Sequence, residues 1–231
     1  MANSEVRQLL SSLQFSDSAF PSGFYTMSHG LEGFSQAKLV ARGGLPELLA
    51  DLLTHSVGPG DATALATAHR AAAAGNWSLV QEIDQRLFAS KLNAEMRKAS
   101  VRSGHQLADL ASEVLGGEAL TDFGARVKAR STPGCQPVVS AVVYAASGVG
   151  TELAVASDLF AFAVSFVGAG LRMRLTDHRD AQVILHGTAP VIERVAADAL
   201  ARGIEDIGGC APLADIMSAQ HERAEARLFA S

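Results

Sequence analysis

Cysteine is nearly absent. The 231 residues contain two, Cys135 and Cys210, which argues against a disulfide scaffold. Aromatic residues reach only 6%, and isoleucine occurs 6 times against 41 alanines and 26 leucines. Alanine and leucine cost least in a helix, whereas strands favour β-branched and aromatic residues. The shortage therefore tilts the chain toward an all-α fold. Basic charge is also short: Lys plus Arg is 19, Asp plus Glu is 24, and the net charge is −5. A mildly acidic chain without a basic stripe is a poor nucleic-acid binder. Charge of either sign is scarce at 19%, beside 48% apolar residues, which rules out a chain disordered throughout. Met1–Phe15 carries Glu5 and Arg7 and lacks the apolar region of a signal peptide, so the cytoplasm is the expected compartment.

From Pro137 to Leu171 the only charged residues are Glu152 and Asp158. Leu153–Leu171 is long enough to span a bilayer. Asp158 would cost about 2.5–3.5 kcal/mol near a membrane centre, and Ser157, Ser165 and Gly168 weaken the span further. An alanine-rich helix buried on all sides explains the run, so no membrane is expected.

Helix punctuation recurs along the chain. Val6, Leu9, Leu10 and Leu13 sit at helical spacing and predict a first helix over Ser4–Phe15. Ser16-Asp17-Ser18 and Pro21 form a turn, and a second helix is expected from Ser22. Pro46 suits the first turn of a helix running to Ser56, and Gly58-Pro59-Gly60 reads as a break. Asp61–Ala74 follows, stopped by Gly75, and Asn76 caps the next helix to Phe88. Leu92–Leu115 is the longest clear helix, with Leu92, Met96, Ala99, Ser103, Leu107, Leu110 and Val114 along one face. Thr132–Pro137 is a loop. Apolar helices are expected over Val138–Ser147, Thr151–Leu175 and Ala181–Arg202, the last broken or kinked at Pro190. A final helix is expected over Leu213–Leu228. With no repeat and no linker, residues 1–231 read as a single-domain bundle of about ten helices.

Familiar chemistry is missing. There is no P-loop, no dinucleotide fingerprint, no CxxC and no HExxH, and the seven histidines show no zinc-like spacing. Two places stand out. On a helix after Pro21, Tyr25, His29 and Glu32 fall four and three residues apart, on one face. They read as an acid/base set, as a metal relay, or as a hydrogen-bonded cluster that orders helix packing. An enzyme of that kind needs a deep pocket with convergent polar groups. At the other end, Leu228-Phe229 is a large apolar pair where chains usually fray, so it wants a partner, in its own domain or in another chain.

Both places carry one pattern. Leu13, Phe15, Ser16, Asp17, Pro21, Ser22, Gly23, Tyr25, Ser28, Gly30, Leu31 and Glu32 resemble the signature of UreF-type urease accessory proteins. His221, Glu222, Arg227, Leu228, Phe229 and Ser231 resemble that family's ending. Between them, Glu95, Arg97, Ser100 and Gly104 look like its Glu-x-Arg-x-x-Ser-x-x-x-Gly block, and Arg172 to Gln182 looks like a fourth. There are departures. Ser22 stands for the usual isoleucine, Thr176-Asp177-His178 replaces Leu-Gly-Gln, and Ala156 and Phe160 occupy positions that are basic and tyrosine in some relatives.

The resemblance implies an all-α protein without catalytic activity or a resident cofactor or metal. It implies a homodimer that binds a UreD/UreH-type accessory protein and then a nickel-carrying UreG-type GTPase. That assembly docks on apo-urease and helps deliver nickel through the complex, and the family member bridges the partners and is proposed to regulate GTP hydrolysis. By that matching His221, Glu222, Arg227, Leu228 and Phe229 hold the UreD/UreH-type partner. Tyr25, His29 and Glu32 line the GTPase contact or a nickel path, and Phe160, Arg172 and Gln182 belong to the same partner-binding set.

Overall fold

The computed structural model describes residues 5–21 and 24–230, and among them every regular element is helical. In order these are α1 (Glu5–Ser16), a 3-10 turn (Phe24–Thr26), α2 (Leu31–Gln36), α3 (Leu45–Leu52) and a π-helical segment (Leu53–Ala62). Then come α4 (Thr63–Ala73), α5 (Trp77–Ser90), α6 (Ala94–Leu115), α7 (Glu118–Lys128), α8 (Gln136–Ala146) and α9 (Thr151–Arg172). The chain closes with α10 (His178–Gly187), α11 (Ala189–Ala201), a 3-10 turn (Ile204–Asp206) and α12 (Pro212–His221).

The core forms where α8 meets α4, α6 and α9. Val138, Val139, Val142, Val143 and Tyr144 of α8 are all buried, so this helix is apolar on every side because every side has a neighbour. The same holds for much of α9, whose Ala154, Val155, Leu159, Ala163, Phe166 and Val167 are buried against α1, α4, α8, α10 and α11. This helix is long and apolar enough to cross a membrane, and it serves as the central strut of the bundle. Close packing of α6 on the turn before α8 depends on Gly104, where a Cβ would stand 1.9 Å from the Gly134 carbonyl oxygen. That turn is held from inside by Asp84 of α5. Its carboxylate accepts from Thr132 Oγ1 at 2.5 Å, Gly134 N at 2.6 Å and Cys135 N at 2.8 Å.

Several boundaries follow the caps read from sequence. Asn76 accepts the Leu79 N–H at the start of α5, and α6 begins at Ala94 rather than at Leu92 because Asn93 accepts the Met96 N–H and caps it. Thr188 and Pro190 separate α10 from α11. Four further expectations are corrected. Gly58-Pro59-Gly60 does not break the helix, because the chain continues through it with π-type bonding. The wider coil leaves the carbonyls of His55 and Pro59 to accept N–H groups from Cys210 and Gly208. An additional helix, α7, follows Gly116-Gly117 and buries Leu120, Phe123 and Val127. The α6 stripe is buried only in its middle, at Ala99, Ser103 and Leu107, while Leu92 and Val114 at its ends are exposed. Finally, α12 stops at His221, and the residues after it form an irregular tail. The expected positions of Ser4, Ser22, Gly23 and Ser231 lie outside the described residues.

Candidate functional site

The two stretches singled out by sequence meet in space. The expected helix carrying Tyr25, His29 and Glu32 does not form. His29 and Gly30 take left-handed backbone angles, φ 54° and 85°, which no continuous helix accommodates. Tyr25 therefore lies in the 3-10 turn, His29 in the connection and Glu32 in the first turn of α2, facing three directions. This removes the one-face acid/base set.

His29 turns inward. Its ring packs on Phe24 and Phe162. Ser165 Oγ spends its proton on the Phe24 carbonyl at 2.9 Å, so His29 Nε2–H donates to that oxygen, also at 2.9 Å. Burial, helped by the positive charges of Lys91 and Arg172, pushes its pKa down to about 3, so the ring is neutral. It borders a cavity of about 90 Å³ that also touches Asp158, Asp61, Lys91 and Gln136. Lys91 Nζ and Asp61 Oδ1 pair across it at 2.6 Å. Burial raises the Asp158 pKa to about 6, opposed by the hydrogen bond from Gln136 Nε2 at 2.8 Å.

Glu32 is buried and central. One oxygen, Oε2, accepts from His221 Nε2 at 2.9 Å and from Phe229 N at 3.0 Å. The other, Oε1, accepts from Leu228 N at 2.8 Å. On the far side of the same imidazole, Nδ1 lies 2.9 Å from Glu95 Oε2. The imidazole thus bridges two carboxyl groups, one at each ring nitrogen. Arg227 adds a cation, 3.3 Å from Glu95 Oε1. Two carboxyl groups, an imidazole and a partly exposed guanidinium are thus joined in one cluster.

The tail runs on from this clamp over the N-terminal signature. Ala230 N donates to the Thr26 carbonyl at 2.9 Å. The Arg172 guanidinium lies between two rings, 4.2 Å from the centre of Tyr25 and 4.5 Å from that of Phe229, and also donates to the Tyr25 carbonyl. The apolar pair at the chain end is split: Phe229 is buried on its own domain and Leu228 is 80% exposed. Tyr25, whose ring stacks on the same Arg172, is also left outside, at 65% exposure.

Tyr25, Glu32, Arg172, His221, Arg227, Leu228 and Phe229 are thus brought together. Glu222 follows His221 at the end of α12 and is half-buried. Phe160 is exposed on α9, twelve residues before Arg172 and so about 18 Å away along the helix. Gln182 is exposed on α10. Residue-by-residue reading missed Glu95 as a site residue, although its matched block pointed to the segment. Each member of that block has a visible task. Glu95 holds His221, Arg97 donates to the Lys91 and Leu92 carbonyls, Ser100 Oγ accepts from Gln136 N, and Gly104 gives room to Gly134. The departure at Thr176-Asp177-His178 is absorbed too, because Asp177 caps α10 and pairs with Arg42 at 2.6 Å.

Among the described residues, no group of three or more His, Cys, Asp and Glu side chains is placed to hold a metal ion. Cys135 is buried and Cys210 exposed.

Fold and site together define an all-helical module whose ionisable groups tie its two end segments to each other. A family model described as UreF matches residues 40–189. Urease accessory protein UreF 2 of Brucella canis is 36% identical over 226 residues, which cover 96% of this chain and 91% of that protein. Urease accessory protein UreF of Trichodesmium erythraeum is 31% identical over 232 residues, the whole of both chains. The UreF of Photorhabdus laumondii is 31% identical over 225 residues, 97% of this chain and 98% of that protein. The chain belongs to the UreF family of urease accessory proteins. Its role is in urease maturation, as an accessory protein and not as an enzyme.

Proposed function

We propose that this protein is the adaptor of a cytoplasmic urease-maturation complex. It binds a UreD/UreH-type accessory protein, bridges it to a UreG-type GTPase, and brings that assembly to apo-urease so that nickel, as cargo, reaches the enzyme. It acts by fixing the geometry in which the GTPase is held, and through that geometry it regulates GTP hydrolysis. The observation that carries this reading is the composite surface at the chain ends. There the tail is clamped over the N-terminal signature, and Tyr25 and Leu228 are left exposed beside Arg172. An exposed tyrosine beside an arginine is the composition of an interface hot spot, and Leu228 adds apolar surface next to it.

The protein acts as a homodimer in this reading. Val6, Leu9, Leu10 and Leu13 are all exposed on α1, which lies along α9, where Phe160 is also exposed. An amphipathic helix with its apolar face outward supports a self-complementary seam there. Gln182, exposed on α10, is assigned to a contact on the α10 face.

Size-exclusion chromatography with light scattering tests the proposal, on the protein alone and co-expressed with its UreD/UreH-type and UreG-type neighbours. The expected result is a dimer that grows into a discrete complex. Removing the residues from Arg227 onward should abolish capture of the UreD/UreH-type partner while leaving the dimer folded. Unchanged capture by the truncated chain refutes the assignment.

A further inference from the structure

We propose that Glu95 is a positioning residue for the C-terminal tail, acting on Glu32 through the imidazole of His221. The consequence for partner binding rests on the adaptor reading above, but the positioning itself does not. Glu32 is the one side chain that receives both tail amides, Leu228 N and Phe229 N. It stands on a helix of only six residues that begins after two left-handed backbone positions, and so short an element does not fix a buried carboxylate unaided. Gln36 Nε2 of the same short helix reaches Oε1 at 3.3 Å, and from outside that helix the side chain that holds the carboxylate is His221, whose Nε2 lies 2.9 Å from Oε2.

The ring is oriented from its far side, where Nδ1 lies 2.9 Å from Glu95 Oε2. Glu95 stands in the first turn of the long helix α6 and so ties the imidazole to a rigid element. The charged groups that close around the ring are Glu32 from α2, Glu95 from α6 and Arg227 from the tail. Without the Glu95 carboxylate the ring loses the contact that fixes its orientation at Nδ1, so the partner of Glu32 at Nε2, and with it the acceptor of the two amides, is less firmly held.

The rival explanation is direct: Glu95 pairs with Arg227, which is itself in the tail. Hydrogen exchange on the full chain separates the two. In Glu95→Gln the Leu228 and Phe229 amides should exchange about tenfold faster or more, also when Arg227→Ala is already present, while α8 amides keep their protection. In a His221→Gln background, Glu95→Gln should add nothing. Wild-type protection of the two amides in Glu95→Gln overturns the proposal. So does an effect that vanishes once Arg227 is alanine. If α8 also loses protection in Glu95→Gln, then Glu95→Asp, which keeps the charge, must restore the tail amides, and failure of that rescue overturns the proposal as well. Capture of the UreD/UreH-type partner is scored on the same variants. A freed tail with unchanged capture refutes the adaptor role of the tail and leaves the positioning role standing. A tail still protected refutes the positioning role whatever capture does.

Discussion

Replacing Asp158 by asparagine should make the protein more stable at neutral pH. Asp158 sits on α9, 9% exposed, with Gln136 Nε2 on Oδ1 and no cation within ion-pair distance among the described residues. Burial lifts its pKa from 3.8 to about 6. The folded form therefore holds the proton more tightly than the unfolded one. Its relative contribution is best below pH 3.8, declines as pH rises toward 6, and levels off above that. A shift of about two units corresponds to about 3 kcal/mol charged to the folded state at pH 7. Asparagine keeps an acceptor for Gln136 and carries no charge, so most of that cost disappears. Urea denaturation of both proteins from pH 3.5 to 8 reads the difference directly, because every other titrating group is common to both. The asparagine variant should match wild type near pH 3.5 and exceed it by about 2–3 kcal/mol at pH 7. Parallel curves across that range, or a less stable variant at pH 7, would refute the assignment of Asp158 as an uncompensated buried acid.

The other predictions follow from single contacts. Gly104→Ala should cost about 3 kcal/mol in denaturant unfolding, because its Cβ meets the Gly134 carbonyl at 1.9 Å and neither backbone can retreat. Asp84→Ala should cost about 3–5 kcal/mol by the same assay, since Thr132 and the amides of Gly134 and Cys135 are left as buried donors without an acceptor. His29 has its pKa depressed from 6.5 to about 3, so its contribution is intact above pH 6.5 and is lost as pH falls toward 3. His29→Asn, which tolerates the left-handed backbone at that position, should flatten the acid limb of a stability-versus-pH curve. Leu228→Asp should leave the melting temperature almost unchanged, because the side chain is 80% exposed, yet weaken capture of the UreD/UreH-type partner at least about tenfold in a pull-down titration.

Local chemistry written in the chain was legible without the structure. Alanine and leucine in excess of isoleucine and aromatics announce helices, and Gly75 and Asn76 mark ends that the structure keeps. The failures share a cause, because each needed information from a distant segment. Extending α12 to Leu228 is a reasonable inference from composition, but the backbone N–H groups of Leu228 and Phe229 are claimed by Glu32, 196 and 197 residues earlier. Continuing through Gly58-Pro59-Gly60 is favourable only because Gly208 and Cys210 come to use the freed carbonyls. Setting Tyr25, His29 and Glu32 on one face assumed that a helix passes through Gly30. No pattern in the neighbourhood reports that His29 will be drawn to Ser165 while Glu32 is drawn to His221.

That separation changes how the motif residues are to be interpreted. Glu32, His221 and Phe229 were expected to touch partners, yet all three are buried in this chain and are satisfied by one another or by Arg172. A partner cannot reach them without first dislodging the tail, which would expose Glu32, Glu95 and His221 together and leave their charges to be solvated or paired anew. Substituting these residues therefore acts on binding through the shape and order of the tail. Substituting the Leu228 side chain acts on whatever meets the surface itself, and Tyr25 belongs to both groups because its ring stacks on the Arg172 that holds Phe229. The groups should be distinguishable without any partner present: Glu32→Gln alters hydrogen exchange of the tail in the isolated protein, and Leu228→Asp does not.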